Sequence, residues 1–186
     1  MRKTNIHLGL RITTVISLAI ISSACAIFTP TKQALTDSEV CEKLDEVIAD
    51  HGNNFKQLKG SRKSTGRVRN MQIWSADRVF PLARDCQVWE WSSGLLSYTC
   101  FWQESDGVKA KVNHDKGAEL VGQCLDKQWQ SSYVATQSGG GSTLFFQPGN
   151  KTVISVRYFK ESRTILDNWK TTLYVGDESN LKAEVQ

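Results

Sequence analysis

The hydropathy pattern changes character several times along the chain, and its first zone is an export signal. Met1 to Arg11 carries Arg2, Lys3 and Arg11 and no acid, Ile12 to Ile21 is apolar but for Thr13, Thr14 and Ser17, and small residues occupy 22–26. A basic start, a short apolar core and a small-residue cleavage point define a secretory signal peptide, which here covers residues 1–24. The core is too short to span a bilayer, which takes about 20 apolar residues, and no later segment is long and apolar enough to do so. Residues 25–35 then read as a tether broken by Pro30, residues 36–176 as a single folded domain and residues 177–186 as a polar tail.

Within the domain the apolar spacing alternates between helical and strand periods. Thr36-Asp37-Ser38-Glu39 fits a capping box. Val40, Leu44, Val47 and Ile48 follow at helical spacing, and Gly52 is the stop signal. A turn around Phe55 and Leu58 leads to Gly60, and Ser61, Ser64, Thr65 and Gly66 mark an exposed loop. Strands are expected within 68–76, 86–91 and 95–102, the last two joined by Ser92-Ser93-Gly94 as a three-residue hairpin loop. A second helix is expected within 107–128, its apolar face made of Leu120, Val121, Cys124 and Leu125 with Val112, and its first half weakened by Gly117. Strands resume at 133–137, 143–147, 152–159 and 169–175, with Gln147-Pro148-Gly149-Asn150 as a hairpin turn.

Helix then strands, twice over, predicts an α+β domain with two helices packed on an antiparallel sheet. The order also suggests an α-βββ duplication with Cys41 and Cys124 on equivalent helices, although no residue motif repeats.

Cysteine usage sharpens this picture. Cleavage or lipidation removes Cys25 from the count, leaving Cys41, Cys86, Cys100 and Cys124, an even set in an exported chain. If Trp91 pairs with Leu95, then Trp89 faces Ser97, Val88 faces Tyr98 and Cys86 faces Cys100. The second helix rises about 1.5 Å per residue and so carries Cys124 away from that end of the hairpin. Bridged cysteines need Cα atoms within about 7 Å, which selects Cys86–Cys100 with Cys41–Cys124.

Two cleavage readings remain at the signal. Ile21-Ser22-Ser23-Ala24-Cys25 looks like a bacterial lipobox, with Ser22 where a branched aliphatic is usual, and lipid on Cys25 is the preferred reading. Ala26 after the cysteine then implies tethering at the outer membrane, with the domain in the periplasm. The rival is ordinary cleavage at Ala24-Cys25-Ala26.

Charge excludes one class of partner. Three of the 23 basic residues precede Cys25 and none of the 19 acids do, so the exported chain carries a net +1 and offers no case for nucleic acid. The one local asymmetry is the acid-free stretch from His51 to Ala76, with Lys56, Lys59, Arg62, Lys63, Arg67 and Arg69.

Catalytic signals are sparse. His51 and His114 read as solvated surface histidines, and no G-x-S-x-G elbow, metal-ligand spacing or phosphate loop is present. Asp45/Glu46 and Asp177/Glu178 read as solvated carboxylates, and Ser138 to Ser142 as a flexible hairpin connection. No metal, cofactor or catalytic residue is therefore assigned.

The aromatics carry more information. Under the hairpin register one face shows Trp89, Trp91, Leu95 and Phe101, and the other Val88, Leu96, Tyr98 and Trp102. A half-exposed antiparallel strand alternates apolar with polar, so either both faces are covered or one of them meets a partner. The sequence thus points to a non-catalytic interaction module, of inhibitor, immunity or accessory envelope type. It would bind an envelope protein or anionic envelope component through Lys59, Arg62, Lys63, Arg67, Arg69, Trp74, Trp89 and Trp91. The membrane contact would be the lipid anchor alone. The alternative is a secreted hydrolase whose carboxylates are gathered only by the fold.

Overall fold

A computed structural model describes residues 35–63, 71–161 and 168–179. The signal peptide, Cys25, Arg67 and Arg69 lie outside these described residues.

Helix α1 spans Asp37–His51 and starts where the capping box places it: Glu39 N–H donates to Thr36 Oγ1 and Thr36 N–H to Glu39 Oε2. Val40, Leu44 and Val47 form its buried stripe. Beyond the helix, Asn54 and Phe55 adopt left-handed φ values of 59° and 52°, turning the chain so that Phe55 is fully buried beside Tyr98. Asp50 holds this turn from within, its buried carboxylate accepting from the N–H groups of Gln57 and Leu58.

The strands are β1 (Arg62–Lys63), β2 (Met71–Ala76), β3 (Ala83–Trp91), β4 (Leu96–Trp102), β5 (Gln130–Ala135), β6 (Gly141–Phe146), β7 (Thr152–Lys160) and β8 (Trp169–Asp177). They form one antiparallel sheet in the order β1-β2-β3-β4-β8-β7-β6-β5. Each half is a helix followed by a four-stranded meander, and the halves meet where β4 pairs with β8. The first half gains a strand over the sequence expectation. Arg62 and Lys63, read as loop, pair with Trp74 and Ile73 at the sheet edge, and the reciprocal bonds Gly60 N–H to Ser75 O and Ser75 N–H to Ser61 O anchor them. At the other end, β8 runs on to Asp177, one residue into the expected tail.

The β3–β4 hairpin has the expected register, with Trp89 opposite Ser97 and Val88 opposite Tyr98. Gly94 supplies the positive φ of 81°, and Trp91 N–H donates to Leu95 O at 2.9 Å.

Helix α2, Gly107–Cys124, starts at Asp106, whose carboxylate accepts from Lys109 N–H. Its buried residues are Ala110, Asn113, His114, Gly117 and Val121; the expected Leu120, Cys124 and Leu125 pack partly buried against the core, whereas Val112 is 45 % exposed. Gly117 is a contact point rather than a weakness: a Cβ there would sit 3.3 Å from Val156 and 3.4 Å from Trp102. The missing side chain lets α2 lie close on the sheet. Both expected disulfides form, Cys41–Cys124 with Cα atoms 4.9 Å apart joining the helices, and Cys86–Cys100 with 4.0 Å across the hairpin. Two disulfides indicate an oxidising, non-cytoplasmic location.

Candidate functional site

Strand parity sorts the sheet residues onto two faces. The helix side carries Trp74, Val88, Tyr98, Cys100, Leu173, Val175, Ile154, Val156 and Phe145, cross-strand neighbours that form the core with Val40, Leu44, Val47 and Val121. Thr171, on the same face, donates its hydroxyl hydrogen bond to Ala110 O of α2 at 3.0 Å.

The other face has neither helix on it. Its residues line up across the strands in rows: Trp89, Ser97, Gly176, Val153 and Phe146 in one; Gln87, Thr99, Tyr174, Ser155 and Leu144 in the next; Phe101, Thr172, Arg157 and Ser142 in a third. Apart from Tyr174, whose hydroxyl donates to Asp177 O, the central positions Ser97, Thr99, Thr172 and Gly176 are small, with Trp89 and Phe101 at the flank, so this face is a trough. The cavity measures about 900 Å³ and is lined by Trp89 and Phe101 on one flank, Arg157, Phe159 and residues 134–138 on the other, and Thr99, Thr172 and Tyr174 between them.

Two features make the trough more than a polar surface. First, Ser97 Oγ and Thr99 Oγ1 are buried and have no hydrogen-bond partner among the described residues, the residues being only 1 % and 5 % exposed. A buried hydroxyl without a partner costs about 1–3 kcal/mol; of the two residues, Thr99 lines the cavity and Ser97 does not. Second, Trp89 is held in place. Lys63 Nζ donates to Asp85 Oδ2 at 2.7 Å, Gln87 Nε2 donates to the same oxygen, and Trp89 Nε1 donates to Gln87 Oε1 at 2.8 Å. Burial pushes the Asp85 carboxyl up, but the bonds from Lys63 and Gln87 outweigh it and hold the group below the usual range. Trp91 packs edge-on to Trp89, with ring centroids 6.1 Å apart, and Phe101 lies 5.7 Å from it.

The residues singled out from sequence do not converge on one point. Trp74 lies on the helix side, where Lys59 Nζ sits 4.3 Å over its ring and pairs with Glu90 at 3.1 Å. Trp89 and Trp91 face the trough, and Lys63 is tied to its edge through Asp85. Arg62 is exposed on the edge strand. The basic stretch is thus divided between the two faces, because alternation along the edge strand sends neighbouring side chains to opposite sides. Thr99, Thr172, Tyr174, Arg157 and Phe159 were not singled out. Their signal is present as alternation within 97–101, 153–159 and 172–176, but which parity faces away from the helices depends on where the helices pack.

Both histidines differ from the surface reading. His51 stacks on Phe55 with centroids 5.2 Å apart, and its Nδ1 lies 2.7 Å from Thr152 Oγ1; burial lowers its pKa, with Asp177 opposing. His114 is 2 % exposed between Tyr133 and Tyr158, with Nδ1 2.9 Å from Asp115 and Nε2 3.1 Å from Thr143 Oγ1. Acid, imidazole and hydroxyl stand in the order used for nucleophilic catalysis. The cavities beside them, however, are lined by neither His114 nor Thr143, and the contacts satisfy both nitrogens of a buried ring. The described carboxylates that depart from their ordinary range, Glu39, Asp85, Asp115 and Asp177, are all displaced downward, so none of these is held protonated as a general acid. Among the described residues there is no cluster suited to a metal ion and no helix long and apolar enough to cross a membrane.

No protein-family model matches the chain, and no curated protein or solved structure is significantly similar to it.

Proposed function

We propose that this protein is a non-catalytic interaction module of the bacterial envelope, exported by residues 1–24, tethered to the outer membrane by lipid on Cys25, and bound to a protein partner through the trough. The observation that carries the reading is the helix-free sheet face, a concave cavity with the fixed ring of Trp89 and that of Phe101 on its flank. Trp is prominent among protein–protein hot spots, and the trough presents Trp89 on its flank. An inhibitor, an immunity-type protein and an accessory factor of an envelope machine all fit this description.

Site-specific photocrosslinking in the source cells tests the binding face. A photoreactive residue at Trp89 is expected to give a discrete adduct that the same residue at Lys116, on the helix side, does not give. Equal adducts from both positions, or none from either, would refute the assignment. Cys25→Ser separately tests the tether: it is expected to move the protein from the membrane fraction to the soluble periplasm. Two soluble forms would leave only ordinary cleavage.

A further inference from the structure

We propose that two copies of this chain pair through β5, joining their sheets edge to edge across a two-fold axis. Among the described residues the sheet ends differently at its two sides. At one side the edge strand β1 is two residues long and both are cations, Arg62 and Lys63. Short edge strands and lysines keep a sheet from pairing with another chain. Strand β5, at the other side, carries neither protection. Its six residues, Gln130–Ala135, include no charge and no proline, pair with β6 without a bulge, and are all exposed, Tyr133 by 53 % and Val134 by 60 %. The gap in charge is wider than the strand: no charged residue occurs from Gln128 to Asn150, which takes in the whole β5–β6 hairpin.

Main-chain geometry identifies the free groups. Thr136 N–H donates to Gly140 O at 3.0 Å, one step beyond the Ala135–Gly141 pair. Hydrogen-bonded and non-hydrogen-bonded pairs alternate along an antiparallel ladder, so Val134, Ser132 and Gln130 bond to β6. The N–H and C=O groups of Ser131, Tyr133 and Ala135 therefore point outward, and none of the described strands lies beyond them.

Charge and symmetry fix the occupant. An uncharged edge has nothing to select a charged partner strand of either sign, and nothing to repel its own copy. A two-fold axis at Tyr133 sets Tyr133 opposite its counterpart and Ser131 opposite the second copy's Ala135. All the outward residues are then matched, in about six main-chain hydrogen bonds. Sliding the pair by one step of the same parity, in either direction, leaves an outward residue facing chain beyond the strand. Tyr133 is already fixed for this contact. Its ring lies where a Cβ on Gly141 would clash with it, its centroid is 5.9 Å from that of His114, and its hydroxyl is 3.3 Å from that of Tyr158. A fixed ring costs little to order on association, and cross-strand aromatic pairs are favourable. Lys111 and Asp115 of α2, beside His114, neutralise each other at 2.7 Å and add no repulsion on that side.

The test is the mass of the purified, oxidised full chain across a concentration series, measured by analytical ultracentrifugation, with Cys25→Ser in every version so that lipid does not associate copies. Mass is expected to rise from one copy to two and to stop there, since a two-fold pair leaves no β5 free. Ser131→Pro removes an outward N–H and leaves the bonds to β6 in place. The pair Ser131→Lys/Ala135→Lys sets like charges opposite each other across the axis. Each should weaken dimerisation about tenfold or more, because each change acts twice per dimer. The pair Ser131→Lys/Ala135→Glu sets opposite charges in the same register and should dimerise at least as well as the parent, which separates repulsion from misfolding. One copy at every concentration would overturn the proposal, even if that monomer bound a strand of another protein. So would growth beyond two copies, a dimer that neither Ser131→Pro nor the double lysine pair weakens, or equal losses from the two double variants.

Discussion

Trp89 donates its indole N–H to Gln87 Oε1 at 2.8 Å, two residues back along the same strand. Residues i and i+2 share a face, so the bond runs along the trough and not across the sheet. Gln87 is in turn fixed by Asp85, and Asp85 by Lys63. A large aromatic ring at an open face would ordinarily sample several rotamers. Here a polar chain begun by an edge-strand lysine fixes one, which lowers the ordering cost of any partner that uses it.

Gln87→Leu is accordingly expected to uncouple Trp89 from Asp85. Because the indole is only partly buried, water can replace the lost acceptor, and stability should fall by about 1 kcal/mol or less. Urea denaturation measures that loss, and tryptophan fluorescence should report a changed environment. Binding of any trough ligand should weaken by more than the stability change alone explains.

Removing the two disulfides should have unequal effects. Cys41–Cys124 closes a separation of 83 residues and Cys86–Cys100 one of 14. The chain-entropy relation gives about 4–5 kcal/mol for the longer loop and about 3 for the shorter. The Cys41→Ser/Cys124→Ser pair should therefore lower the urea midpoint more than Cys86→Ser/Cys100→Ser. Non-reducing peptide mapping of the native protein should yield these two pairs and no others.

Stability should fall with pH in two windows. His51 has its folded pKa lowered, first by burial, so the folded state binds fewer protons than the unfolded chain, whose imidazole titrates near about 6.5. Its contribution is complete above that value and is lost as pH falls below it, toward the folded pKa. Asp115, held down chiefly by Lys111, and Asp177, held down chiefly by Ser179, contribute above the unfolded carboxylate value of about 3.9 and lose their contribution as pH falls through their folded values. Melting temperatures measured across the range should show an upper step that His51→Gln removes and a lower one that it leaves.

Gly117 should resist enlargement. A Cβ at 3.3 Å from Val156 is tight but tolerable, and alanine gains about 1 kcal/mol of helix propensity over glycine, so Gly117→Ala should be near neutral. Gly117→Leu has no room between α2, Val156 and Trp102, and overpacking should cost about 1–3 kcal/mol. Urea midpoints of the two variants test both statements.

Features governed by neighbours in the chain were legible before any coordinates. The Thr36–Glu39 capping box, the Gly52 stop, the Gly94 hairpin turn and the β3–β4 register each depend on residues a few positions apart. The disulfide pairing followed because the register placed Cys86 opposite Cys100 and helix rise carried Cys124 away. The two-residue strand Arg62–Lys63 was missed because a short polar segment has no periodicity of its own and exists only by pairing with β2. His114 and Val112 exchanged their expected environments because α2 packs through its small residues, Ala110 and Gly117, and those set its rotation on the sheet.

The sequence by itself determined the types of both helices and of every strand but Arg62–Lys63, the alternation that gives each strand two faces, and the four cysteines that staple the domain. The tertiary structure alone decided which face the helices cover. Both faces of the β3–β4 hairpin carry aromatic residues, so hydrophobicity could not choose between them. The choice came when both helices packed on the side of Val88 and Tyr98, burying those side chains. Trp89, Thr99 and Phe101 of the β3–β4 hairpin and Arg157 of the distant β7 were thereby left together on the open side.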